Sequence, residues 1–204
     1  MQNIFVNNSF LGWFALIAQF YTLAKSRNIS LGEVIIFYLS FFTILTNLTV
    51  AICTTLILIK SGNFFTKPST ITAIAVYIFI VGAVYNFILR PLWNPVGLQK
   101  LVDELLHSVI PGMFLIFWLM FVPKNNLKWK NTFSWQIFPF TYMVYIIVRG
   151  EITNQYPYPF IDVSKLGYAT ALTNASWLCI VFMVFSVILI AGAKALSDKK
   201  KIVK

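Results

Sequence analysis

The chain has 204 residues, with 16 Lys and Arg against 6 Asp and Glu, a single His and two Cys, and 59% of its positions are hydrophobic. Only 11% are charged, against about a quarter in a soluble domain, so the chain lacks the polar residues to cover a water-exposed surface of its size. This balance argues against a cytosolic enzyme, a nucleic-acid reader and a disulfide-stapled secreted domain. The net charge of +10 alone would suit a nucleic-acid partner, but the basic residues lie between apolar runs and form no single face.

Six segments supply the roughly 20 mostly apolar residues that a membrane-crossing helix needs. They run from about Asn8 to Ala24, Val34 to Ile59, Ser69 to Leu89, Leu98 to Val122, Phe133 to Val148 and Leu166 to Ala193. Irregular backbone is costly in lipid, and a membrane barrel would show alternating strands of about ten residues. The expected fold is therefore all-α: one polytopic domain over residues 1–204, a bundle of six transmembrane helices with a Lys-rich tail at about 194–204.

No charged side chain precedes Lys25, so a cleavable signal peptide is not expected. In the second span Ser40, Thr43 and Asn47 follow i, i+3, i+7 and would share one face of a continuous helix. Hydroxyl side chains in membrane helices commonly bond to a carbonyl one turn back or join helices together, and that reading stands beside any catalytic one. Cys53, here, and Cys179, in the last span, sit in apolar runs and read as small buried hydrophobes rather than a disulfide or metal clamp.

The fourth span opens Leu101-Val-Asp103-Glu104-Leu-Leu-His107-Ser108-Val-Ile-Pro111. Asp103, His107 and Pro111 lie four apart on one face. An ionisable group at membrane depth usually faces the bundle interior or a water-filled cavity, which makes His107 a functional candidate. A structural histidine bonded to a neighbouring carbonyl is the competing reading. Pro111 cannot donate to the carbonyl of His107, so the helix should open there, and Pro139 should do the same to Trp135 in the fifth span. Along straight helices Thr43 and His107 would each lie roughly 14 Å below the outer boundary, at 1.5 Å per residue. That matched depth is a condition for a hydroxyl nucleophile and its base.

After the fifth span, Arg149 to Asp162 carries Tyr156-Pro-Tyr158-Pro, a stiff aromatic segment that reads as an outer lid or as a passive interfacial belt. Arg149 could hold a substrate carboxylate, with Tyr156 and Tyr158 beside it, or pair with Glu151 or Asp162. Assigning the loops by side puts ten basic residues on the face of the termini and six on the other. The positive-inside rule then makes both termini cytoplasmic, with the Lys-rich tail a stop-transfer flank that can also meet anionic headgroups. No zinc ligand set, P-loop or Gly-x-Ser-x-Gly elbow is present, so the reading calls for no metal and no cofactor.

Three stretches carry a family resemblance: Phe41-Phe-Thr43-Ile-Leu-Thr46-Asn47, Leu105-Leu-His107-Ser-Val-Ile-Pro111, and Tyr142-Met-Val-Tyr-Ile-Ile-Val-Arg149-Gly with Tyr156-Pro-Tyr-Pro-Phe160-Ile-Asp162. They resemble bacterial six-span membrane proteins that are distantly similar to the animal androgen-induced membrane hydrolases, which cleave fatty acid esters of hydroxy fatty acids. The resemblance implies a catalytic threonine and histidine within the bacterial cell membrane, falling here on Thr43 and His107, and a lipid ester as substrate among the membrane lipids. Thr46, one turn on, is the other candidate nucleophile. To these our own reading of the residues adds Asp103 as a side chain that orients the imidazole and Asn47 as an oxyanion donor. The alternative is a non-catalytic membrane protein that binds a lipid or moves a small solute, with His107 as proton carrier.

Overall fold

The computed structural model describes the backbone of residues 2–202 and the side chains of residues 6–195. Among these, all regular structure is helical. Lys199, Lys200, Lys201 and Lys204, expected in the tail, have side chains outside the described residues. The chain divides into two compact units, Met1–Pro123 and Lys124–Lys204.

In the first unit, α1 (Gln2–Ser26) packs along α3 (Phe42–Leu58). Small residues allow the close approach: a Cβ at Gly12 would stand 3.2 Å from that of Ala51. Polar contacts lock the pair, since Ser9 Oγ and Trp13 Nε1 meet Thr55 Oγ1 at 2.8 and 3.0 Å. Between them lies α2 (Leu31–Tyr38), started by a reciprocal Ser30–Glu33 capping box.

The second apolar run was expected to be one helix from Val34 to Ile59, but it breaks at residues 39–41, where α2 and α3 meet at 81°. Ser40 Oγ donates to the Ile36 carbonyl at 2.6 Å, and the Ser40 and Phe41 N–H groups turn to carbonyls three residues back. These bonds compete with the α ladder and end it. Tyr38 then pins α2, its hydroxyl donating to Leu16 O at 2.8 Å and its ring meeting Phe20 edge-on. Two expectations are thereby corrected. Ser40 does not share a helix face with Thr43 and Asn47, and the straight-helix rise that set the depth of Thr43 does not apply.

Two long helical segments complete the unit. The first is α4 (Pro68–Val84), extended by a π turn at Tyr85–Leu89 and a 3₁₀ turn at Arg90–Leu92. The second comprises α5 (Gly97–Glu104), a π turn at Leu105–Val109 and α6 (Ile110–Phe121). Arg90 N–H bonds Tyr85 O and Ile110 N–H bonds Leu105 O, and the next residue in each case is a proline, Pro91 or Pro111. A proline has no N–H and its ring crowds the carbonyl four residues earlier, so the turn ahead of it widens. The opening expected at His107 thus takes the form of a π turn. Farther along, Trp118 Nε1 donates to Thr72 Oγ1 at 2.9 Å and ties the two segments together.

The second unit contains α7 (Asn131–Trp135), α8 (Ile137–Thr153) and α9 (Val163–Ile202). The expected fifth span is divided at Gln136, which caps both α7 and α8. Pro139 therefore stands in the first turn of α8, where a missing N–H leaves no bond broken, and does not kink a longer helix. Asn154 ends α8 with a left-handed φ of 53°. Gly167, at φ 73° and ψ 160°, interrupts α9 one turn after its start, in a conformation that a side chain would disfavour.

Among the described residues three segments are long and apolar enough to cross a membrane: Pro68–Leu92, Gly97–Phe121 and Val163–Ala195, with a fourth if the bent α2–α3 pair is one span. The remaining expected spans fall within α1, whose apolar run is diluted by Asn7, Asn8, Ser9 and Gln19, and across α7 and the 17-residue α8. The chain is a helical membrane protein.

Candidate active site

The first turns of α3 carry Thr43, Thr46 and Asn47, all buried. Asn47 Nδ2 donates to its own helix at Thr43 O, 2.9 Å away, and across to Leu106 O at 3.1 Å. One side chain therefore joins the turn that bears the threonine to the turn that bears His107. At about 100° of rotation per residue, Thr43 projects between Asn47, which meets the fourth apolar segment, and Phe42, whose ring meets Tyr77 of α4 at 6.4 Å. Thr43 therefore lies on the face of α3 between these two contacts.

His107 sits at the centre of the second π turn. Its Nδ1 lies 2.9 Å from Asp103 O. A carbonyl oxygen can only accept, so Nδ1 carries the ring proton and Nε2 presents a lone pair. Tyr85 covers one ring face, stacked at 3.9 Å between centroids and 12° between planes.

The π turn also explains two asparagines. In a regular helix the carbonyls of Leu106 and His107 would accept from residues 110 and 111, but Ile110 N–H is spent on Leu105 and Pro111 has none. Neighbouring helices supply donors instead. Asn47 serves Leu106, and Asn86 Nδ2 serves His107 O at 3.2 Å while holding Gly82 O, one turn back on its own helix, at 2.8 Å. Each asparagine thus bridges the carbonyl four residues behind it to one carbonyl of the histidine turn. Gly82 makes room for this, since a Cβ there would come within 3.1 Å of His107 O.

Asp103 is buried, and its carboxylate accepts from Trp93 Nε1 at 2.7 Å and Gln99 Nε2 at 3.2 Å. The residue does hold the imidazole, but through its backbone carbonyl. The expected carboxylate role is corrected accordingly: the carbonyl four residues back lies under the ring, while the indole and amide draw the carboxylate elsewhere. Asn47 is corrected in the same way, because both amide protons already have acceptors and none is left for an oxyanion. Thr46 Oγ1 and Asn47 Oδ1 are buried without a hydrogen-bond partner. On the flank, Arg90 Nη2 pairs with Glu104 at 2.6 Å and reaches Ser108 Oγ at 3.3 Å.

Arg149, Tyr156 and Tyr158 belong to the second unit. Arg149, itself buried, donates from Nη1 to Gln155 O at 3.0 Å and so closes its own loop. The Tyr156 ring lies over Gly150, filling the space that a Cβ there would need, and Tyr158 stacks on Phe160 at 5.2 Å. The Ser164 hydroxyl, 2.5 Å from Asp162 Oδ1, holds that carboxyl below the usual carboxylate range, with Lys165 adding to the effect.

Sequence reasoning missed Gly82, Tyr85 and Asn86. The available signal was an asparagine in an apolar run one turn after a glycine, the same i, i+4 spacing as Thr43 and Asn47. No protein-family model matches the chain, and no curated protein or solved structure matches it at a significant level.

Proposed function

We propose that the protein is a six-span hydrolase of a lipid ester in the bacterial cell membrane, with both termini cytoplasmic. Thr43 is the nucleophile and His107 its base. The observation that carries the reading is the Asn47 bridge between Thr43 O and Leu106 O, which ties the alcohol-bearing turn to the imidazole-bearing turn. The Nδ1 bond to Asp103 O supports it by leaving Nε2 as the acceptor.

In this mechanism Thr43 Oγ forms a bond to the ester carbonyl carbon as its proton passes to His107 Nε2. The carbon–alkoxide bond of the ester then breaks, and the leaving oxygen takes the proton from Nε2. Water attacks the acyl-threonine, giving a proton to Nε2, and Thr43 leaves with that proton as the free fatty acid forms. Asp103 O holds the tautomer throughout, and Asn47 holds the two turns in register.

The test is hydrolysis of a fatty acyl ester, together with labelling by a fluorophosphonate probe, for the purified wild type, Thr43→Ala, His107→Gln and Thr46→Val. Loss of both signals in the first two variants, with Thr46→Val near wild type, is the expected result. Inactive or unlabelled wild-type protein that is folded would sink the hydrolase. Activity that vanishes in Thr46→Val and survives Thr43→Ala would move the nucleophile one turn along α3. Proton-coupled uptake that depends on His107 and ignores Thr43 would favour transport.

A further inference from the structure

We infer that Tyr85 and Asn86, consecutive on the first π turn, are positioning residues for His107: the tyrosine fixes the plane of the imidazole and the asparagine fixes the backbone that carries it. The catalytic consequence rests on the hydrolase reading, whereas the structural claim does not.

Three contacts converge on this pair. The Tyr85 ring lies flat on the imidazole, whose Nδ1 is held by the Asp103 carbonyl. Asn86 supplies His107 O with a donor where Pro111 offers none, and it adds a longer contact of 3.4 Å to Ser108 Oγ. The widened turn explains why the fourth segment does not serve this carbonyl itself: Ile110 N–H is spent on Leu105 O and Pro111 has none.

The single histidine makes the claim readable without any assay of turnover. Protein labelled with ¹⁵N,¹³C-histidine gives one imidazole spin system. The wild type is expected to show protonated Nδ1, bare Nε2 and ring protons shifted upfield by the Tyr85 ring. Tyr85→Phe should keep the ring shift. Tyr85→Leu should abolish it and allow a mixture of tautomers, and Asn86→Leu should also mix tautomers while retaining much of the shift. Helicity and elution profile report folding, and if Asn86→Leu does not fold, the Phe and Leu variants at residue 85 still decide the matter. If hydrolysis is present, Tyr85→Leu and Asn86→Leu should lower kcat by up to about 100-fold, the effect expected of a misplacement near 1 Å, with KM little changed. A wild-type ring protonated at Nε2, or an unchanged spectrum in folded Tyr85→Leu, overturns the inference. A wild-type protein with the expected spectrum and no ester hydrolysis sinks the hydrolase reading alone.

Discussion

At the scale of single residues, the two threonines of α3 differ in a way that their sequence context hides. Thr46 is fully buried and its hydroxyl has no hydrogen-bond partner, a costly state for a polar group. Thr46→Val keeps the shape and removes the unpaired group, so it is expected to leave activity intact and to raise stability by up to about 1 kcal/mol. Thermal unfolding in detergent reads this directly, and a lowered Tm would show that the hydroxyl has work in the native state. The residues of interest were visible in the sequence as polar side chains in apolar runs, and Thr43, Asn47, Asp103 and His107 were found on that signal. Their partners were not. Which acceptor an asparagine reaches depends on the helix opposite, and nothing local to Asn47 or Asn86 names Leu106 or His107.

At the scale of helical elements, proline decides the shape of the site. Pro91 and Pro111 each follow a π turn, and the two turns face each other through Tyr85 and His107. Replacing Pro111 by Ala restores an N–H and removes the ring that crowds the carbonyl of His107, so the fourth segment is expected to relax toward a regular helix. Closing a π turn rotates α6 relative to α5 by the share of one residue, about 100°. Pro111→Ala should then lower hydrolysis and weaken the stack that the histidine spectrum reports. Unaltered activity and spectrum would mean that the π turn is held by the neighbouring helices and not by the proline. The sequence announced an opening at this point, because proline chemistry is local. The break in the second apolar run was not announced, because no proline or glycine marks it. A serine turned back on its own helix and an aromatic anchor on α1 produce it.

At the scale of the whole molecule, the lipid environment follows from composition, while the number of crossings does not. Segments such as Pro68–Leu92 and Val163–Ala195 pass on length and apolarity. The proposed six crossings require α1 and the α7–α8 stretch to cross as well. Single cysteines at Asn28, Gly62, Asn94 and Gln155, in a background with Cys53 and Cys179 replaced, are expected to react with an impermeant thiol reagent from outside at Asn28, Asn94 and Gln155 and only after permeabilisation at Gly62. Labelling of Gly62→Cys in intact cells, or protection of Asn28→Cys, would refute this arrangement.

The amino-acid sequence by itself determined the solvent, the helical class and the presence of a lone histidine beside a proline, since hydrophobic run length and proline geometry are properties of short stretches of chain. The tertiary structure alone decided how that histidine is held: Asp103 through its carbonyl, Tyr85 over its face, and Asn47 and Asn86 on the carbonyls of its turn. Those contacts join residues far apart in the chain, and their hydrogen bonds are selected by what each buried polar group lacks once the helices have packed.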